Sequence, residues 1–244
     1  MNRQELSTLA HRRHPISAPV DEAAADELLR AALPEGEGRA LDLGCGSAAW
    51  LLRALAVHPG LRATGVDLSE SALRTARAEA ERLGLGDRLA LHRQDAAEFR
   101  SARPYDLVLT VGASHAHGGL LPALEAARAH LAPGGAVLLG EGYWERTPSP
   151  AAVELLGELR DLADTVAAVG AAGWTPVHGH TSTRRERDAY EWSWTGSLAA
   201  WALDHPEHPD SGQAREAAEL HREEWLRTYR DCFGFVCLVL RRTG

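Results

Sequence analysis

Lysine is missing altogether: all 26 basic residues of the chain are arginine. This rules out a Schiff-base lysine, a phosphate-loop lysine and a Ser–Lys dyad. With the abundance of alanine, it suggests a GC-rich bacterial coding sequence. Cysteine is scarce. Cys45, Cys232 and Cys237 are the only three, too few for a disulfide framework and without the spacing of a zinc tetrad. A reducing cytoplasm is the expected compartment. No apolar run approaches the ~18 residues of a membrane span. The opening MNRQELSTLAHRRHP lacks the apolar core of a secretory signal. Positive charge is in deficit, 26 basic against 34 acidic residues for a formal net charge of -8. A nucleic-acid binder is expected to carry a basic excess or stripe, so neither nucleic acid nor membrane is expected as a partner.

What is present is an ordinary globular composition, 45% hydrophobic and 25% charged over 244 residues, enough to bury a core. No repeat or low-complexity linker divides it, so a single domain over 1–244 is expected. Residues 1–20 read as polar and irregular. The spacing of Ala24, Leu28, Leu29 and Ala32 predicts a helix from Asp21 to Leu33, so residues 1–33 form an N-terminal cap segment. From there, strands at 39–43, 63–68, 88–95, 106–112 and 136–144 alternate with helices at 48–57, 69–83 and 120–131. Ser69 is the expected cap of its helix. The apolar 106–112 run has no polar alternation, as in a strand buried on both faces. Such alternation implies a parallel sheet covered by helices. After Pro150 come a helix over 151–170 and a strand over 174–182. A helical insertion at about 183–230, broken at His205-Pro-Glu-His-Pro209, precedes a final strand at 232–242.

The segment Leu41-Asp-Leu-Gly-Cys-Gly-Ser-Ala-Ala-Trp50 runs from a strand through a glycine-rich turn into a helix. Gly44 and Gly46 let the backbone approach a ligand closely, and the helix start offers free N–H groups. Gly44, Gly46 and Ala49 formally satisfy the dinucleotide pattern G-x-G-x-x-G/A. The acids around the turn favour another ligand, S-adenosylmethionine (SAM). A carboxylate at Asp42 suits a ligand ammonium and repels a pyrophosphate. Asp67, closing the next strand, can accept from ribose hydroxyls, a device NAD sites share. Asp95, closing the third strand, can accept from an exocyclic amine. Ligands of such sheets sit outside the strands' carboxyl ends, so all three acids are expected to line one crevice.

The motifs LDLGCG, VDLS, RQDA, YDLVLTVGAS and LAPGG, in this order and spacing, resemble those of class I SAM-dependent methyltransferases. The resemblance covers roughly residues 38–145, with Ala48 where the family often has a third glycine. GEGYW at 140–144 and the ending GFVCLVLRR further resemble small bacterial methyltransferases of small molecules with a helical lid. The resemblance implies an α/β, Rossmann-like seven-stranded sheet, mostly parallel with an antiparallel last strand and helices on both faces. It implies SAM as cofactor and S-adenosylhomocysteine (SAH) as product. It assigns Asp42, Gly44, Cys45 and Gly46 to the methionine end, Asp67 to the ribose and Leu68 to the face of the adenine. Asp95 and Ala96 meet the adenine edge, and Val111 and Gly112 lie near the amine and sulfonium.

Methyl transfer from a sulfonium is an in-line displacement, so the protein need only align the acceptor, exclude water and take up a proton. His115 and His117 follow the fourth strand. His115 is a candidate general base, the alternative being a polar loop that shapes the pocket; no carboxylate accompanies the pair at metal-ligand spacing. Glu141 is positioned to orient or deprotonate an acceptor and Tyr143 to donate to it, the alternative being a salt-bridged loop. His178 and His180 read as structural. Trp192, Trp194, Trp201, Trp225, Tyr190 and Tyr229 concentrate in the insertion. His14, His115, Tyr143, Trp144, Tyr190 and Trp194 are the candidate acceptor contacts, since aromatic walls suit a flat or apolar acceptor. A small-molecule acceptor, methylated on oxygen or nitrogen, is the leading expectation. An RNA or protein methyltransferase, an NAD(P) oxidoreductase and a non-catalytic SAM/SAH binder are the alternatives. Sequence does not decide between monomer and homodimer.

Overall fold

The computed structural model describes residues 1–243. Seven strands, β1 (Gly38–Leu43), β2 (Leu61–Asp67), β3 (Leu89–Arg93), β4 (Tyr105–Val111), β5 (Leu131–Trp144), β6 (Trp174–Thr181) and β7 (Phe233–Arg242), form one sheet. Their order is β3-β2-β1-β4-β5-β7-β6. Strands β1 to β5 pair in parallel, and β7 runs antiparallel to both β5 and β6. This is the expected mixed sheet. The chain reverses its winding between β1 and β4, so their carboxyl ends open a crevice.

Alternating residues bury two apolar layers, as a two-sided sheet requires. Ala40, Leu107, Leu109, Leu138 and Val239 face one layer, closed by helices α2 (Glu22–Ala32), α3 (Ala49–Val57) and α4 (Glu70–Arg82). Leu41, Val108, Val137, Leu139 and Leu240 face the other, closed by α5 (Leu120–His130) and α7 (Leu162–Ala171). Ser69 caps α4 as its sequence implies, its hydroxyl accepting from Ala72 N at 3.2 Å. Among the described residues no helix is long and apolar enough to cross a membrane.

Two expectations need correction. Residues 1–20 are not irregular: Arg3–Ala10 is helix α1, started by a reciprocal capping box between Asn2 and Glu5, a signature written in the sequence. The helix expected over 151–170 is two, α6 (Pro150–Leu156) and α7, because Gly157 at φ +86° breaks the first and Asp161 caps the second. Between β6 and β7 lie α8 (Arg184–Asp204) and α9 (Ser211–Glu224), followed by a π-helical turn, Trp225–Tyr229.

The sheet also shows why GEGYW has its glycines. A Cβ on Gly140 would lie 3.0 Å from the Phe235 ring and one on Gly142 2.8 Å from that of Phe233. The tips of both phenyl rings therefore come close over the two glycines on that face. On the opposite face Gly234 makes room for Tyr143, whose Cζ a Cβ there would meet at 2.3 Å. Gly234→Ala forces this ring aside inside a packed layer and is expected to cost ~2–3 kcal/mol, read as a lower urea midpoint at unchanged slope. Adding Tyr143→Leu should return at least half of the loss; no recovery would mean that the clash lies elsewhere.

Candidate active site

The turn after β1 is fixed by the backbone. Gly44 N and Cys45 N both donate to Val66 O, at 2.9 and 3.0 Å, tying the turn to the end of β2. Gly44 has φ +88°, and a Cβ there would lie 2.7 Å from that of Ala113 after β4, so no side chain fits. Cys45 is buried, with its sulfur against Gly65, where a Cβ would lie 2.8 Å away. Ala48, just before α3, is left-handed at φ +58°, a conformation that costs an alanine roughly 1–2 kcal/mol. This is the physical reason a glycine suits the position.

Two carboxylates converge on the turn. Asp67 accepts from Gly46 N at 2.8 Å through one oxygen and from Ser69 N at 2.7 Å through the other. A carboxylate has about four acceptor sites, so capacity remains for a ligand's hydroxyls. Asp42 is only 3% exposed. Burial first, and then the nearby negative charge of Asp67, push its carboxyl up to about 8. A cation at this point would favour its ionised form. Beyond β3, Asp95 accepts from Ala97 N at 2.9 Å, with Ala96 buried beside it. Leu68 offers a half-exposed apolar face next to Asp67. Gly112, at φ +67°, follows Val111 at the end of β4 and donates to Gly140 O at 3.0 Å.

A cleft of about 840 Å³ runs over this turn, lined by Gly46, Asp67, Leu68, Ser69 and His115 on one side and by Thr8 and His11 of the N-terminal segment on the other. Helix α1 is held there by contacts to two elements. Thr8 Oγ1 lies 2.9 Å from Ser71 Oγ of α4, and His11 Nε2 lies 2.8 Å from the Tyr190 hydroxyl of α8. The Met1 amine pairs with Asp210 ahead of α9.

A second cavity of about 270 Å³ shares Ser17 with the cleft and is also lined by Gly112. Phe233 and Phe235 line it from the sheet, and Tyr190, Trp225, Tyr229 and Leu156 from the helices. Its charged lining residues are paired. Arg230 makes two bonds to Asp188 at 2.9 and 2.7 Å, and Arg187 reaches Glu145 at 2.6 Å. Glu191 accepts from the Tyr229 hydroxyl at 2.9 Å and lies 2.7 Å from His221 Nε2.

The structure distributes the remaining sequence candidates as follows. His115 lines the cleft. His117 is turned inward, and burial lowers its pKa against the opposing charge of Asp95. Glu141 lies on the sheet face opposite Phe235; burial raises its pKa, opposed by a hydrogen bond from Ser114. Tyr143 shares that face and packs over Gly234. Trp144 is buried with Trp225 and Tyr229. His14 hydrogen-bonds to Ala18 O at 2.8 Å and meets Tyr190 edge-on at 5.5 Å. Tyr190 lines the cavity. Trp194 does not; it stacks on His221 at 4.0 Å. Sequence reasoning passed over Arg187, Glu191 and His221. The first two were visible as charges on the inward stripe that Leu198 and Ala202 continue along α8, all of them buried; His221 carried no comparable signal.

Comparison with known proteins agrees with this geometry. Residues 41–137 match the family described as a methyltransferase domain. YjhP of Escherichia coli K12, an uncharacterised protein, is 27% identical over 98% of this chain and 99% of its own. A SAM-dependent methyltransferase from Geobacter sulfurreducens, solved with SAH, is similar at TM-score 0.89 and 25% identity, with 99% of this chain and 98% of that one covered. One from Thiobacillus denitrificans, also solved with SAH, gives 0.88 and 26% with 99% of both covered. The matched domain and these two structures support a class I SAM-dependent methyltransferase.

Proposed function

We propose that the chain methylates a small molecule, holding SAM in the cleft and the acceptor in the adjoining cavity. The observation that carries this reading is that the two spaces share Ser17, with Gly46 after β1 lining the cleft and Gly112 after β4 lining the cavity. The residues of the cleft fit the cofactor. Asp42 is a buried carboxyl whose raised pKa an ammonium would relieve, and a pyrophosphate so near it would meet like charge. Asp67 is held by two backbone N–H groups with lone pairs to spare. Leu68 offers an apolar face to a purine, with Asp95 and Ala96 toward its edge. Gly44, Cys45 and Gly46 carry the backbone close to the methionine end, with Val111 and Gly112 opposite. When bound, SAM supplies a methyl group already activated on a sulfonium, so the chain's own work is alignment and exclusion of water.

The cavity supports a small acceptor. Its volume lies just under the ~300–1,000 Å³ usual for small-molecule sites, and helices cover it. Residues 1–33 act as a cap and the insertion at about 183–230 as a lid over one catalytic domain. Tyr190 lines the cavity directly, while Trp144 and Trp194 back its walls. Calorimetry tests the cofactor half of the proposal. SAH should bind with a Kd on the order of micromolar and NADH should give no heat. Tight NADH binding without SAH binding would sink the assignment.

A further inference from the structure

The cavity contains a carboxylate–imidazole pair that the cofactor reading does not use. Glu191 is 7% exposed, deep in α8, and both of its oxygens are engaged: Oε1 by the Tyr229 hydroxyl and Oε2 by His221 Nε2. A carboxylate only accepts, so Nε2 of His221 must carry its proton there. That leaves the lone pair of the neutral ring on Nδ1. Nδ1 has no hydrogen-bond partner among the described residues, and it is not a sealed atom. His221 lines the cavity, with its ring fixed from behind by Trp194 at 4.0 Å and 25°. The same arrangement, a carboxylate fixing the tautomer so that the far nitrogen is basic, operates in hydrolase triads.

The local backbone is built around this pair. Trp225–Tyr229 is a π-helical turn, closed by Arg230 N on Trp225 O at 3.0 Å, and such turns recur at functional sites. Trp225 and Tyr229, four residues apart, both face inward, and the Tyr229 hydroxyl meets Glu191. Tyr229 remains a donor, since burial and the charge of Glu191 both push its pKa up. The groups acting on His221 from its surroundings are Glu191 of α8, Tyr229 of the π turn and His11 after α1. Burial lowers the pKa of His11 itself.

Resting on the methyltransferase reading above, we infer that His221 is the general base of the reaction, oriented by Glu191 and Tyr229, and that the acceptor is a neutral aromatic molecule bearing a phenolic hydroxyl. The acceptor's proton passes to Nδ1 of His221 as its oxygen takes the methyl carbon and the S–C electron pair stays with sulfur. Neutrality follows from the cavity's charges, since Arg187, Arg230 and Glu191 are all paired internally. The aromatic ring follows from Trp225, Tyr190, Phe233 and Phe235. The phenol follows from the base, because an imidazole matches a phenol's proton far better than an aliphatic hydroxyl's.

The test uses the full chain with SAH, SAM, 2-naphthol and 2-naphthalenemethanol. 2-Naphthol should bind the SAH complex by calorimetry and be methylated at least tenfold faster than the alcohol. His221→Gln should lower kcat by about 10²–10⁴ and abolish the rise of kcat with pH, while leaving the SAH Kd within twofold. Glu191→Gln should lower kcat less. It should also lose the Nε2-protonated signature of His221 in ¹⁵N spectra of the cofactor-free protein, which requires no turnover. Absence of that signature in the unsubstituted protein overturns the proposal, as does an unchanged kcat in His221→Gln or SAH binding with neither binding nor methylation of 2-naphthol. Failure of SAH to bind at all would instead remove the methyltransferase reading on which it rests.

Discussion

Asp67→Ala weakens SAH binding by about 10²–10³-fold. Its carboxylate makes two charge-assisted bonds to backbone N–H groups, to Gly46 at 2.8 Å and Ser69 at 2.7 Å. Under the proposed function it also accepts from the ribose. Hydrogen bonds to charged groups contribute ~1.5–3 kcal/mol each. Losing two to the ligand amounts to roughly 3–4 kcal/mol, and each 1.4 kcal/mol is tenfold in Kd. The substitution also orphans Gly46 N and Ser69 N, which loosens the turn the ligand must meet. Calorimetric titration with SAH gives the number directly. A Kd within threefold of the parent would show that Asp67 serves the turn and not the ligand.

Asp42→Asn has opposite effects on stability and on binding. With its carboxyl pushed up to about 8 by burial and by Asp67, the folded chain keeps a proton that the unfolded chain releases near pH 4. The unfolded state therefore binds fewer protons between pH 4 and 8, and the stability of the ligand-free protein falls as pH rises through that window. The loss is complete above pH 8 and absent below pH 4. Four units at 1.36 kcal/mol each make it on the order of 5 kcal/mol. The amide of the variant carries no charge, so the Asp42→Asn protein should melt well above the parent at pH 8 and close to it at pH 4.5. Under the proposed function bound SAH reverses the balance, because its ammonium favours the carboxylate. SAH affinity of the parent should rise with pH up to about 8, with proton release visible as a dependence of binding heat on the buffer. The variant should bind weakly at every pH. A variant melting below the parent at pH 8 would mean that Asp42 already has a partner for its charge.

The regions legible in sequence are those where local chemistry and global fold ask for the same residue. The turn at 44–46 needs glycine because Ala113 closes on it, and each strand leading to it is apolar because both of its faces are covered. Ser69 caps α4 by a rule with no long-range term. The cavity proposed for the acceptor obeys no such rule. Glu191 lies 30 residues before His221 and 38 before Tyr229, and only the packing of α9 on α8 brings it to them. The alternation of β5 was readable, but not which face the insertion would cover. For that reason Glu141 and Tyr143 stand out in sequence, although the cavity lies on the side of Phe233 and Phe235. Helix α1 was overlooked although its capping box is local. Its polar composition obscured it, since it buries only Ala10.

The wide winding from Trp225 to Tyr229 makes this stretch tolerant of a change in length. An ordinary helix turns by about 100° per residue. The turn at Trp225–Tyr229 holds one residue more than normal winding uses, since Arg230 N reaches back five residues to Trp225 O. Removing Leu226, which is itself half-exposed, would let the segment relax to normal winding with Arg230 close to its present bearing. The stretch can thus absorb the loss of one codon, whereas the same deletion within α8 would rotate everything beyond it by about 100°.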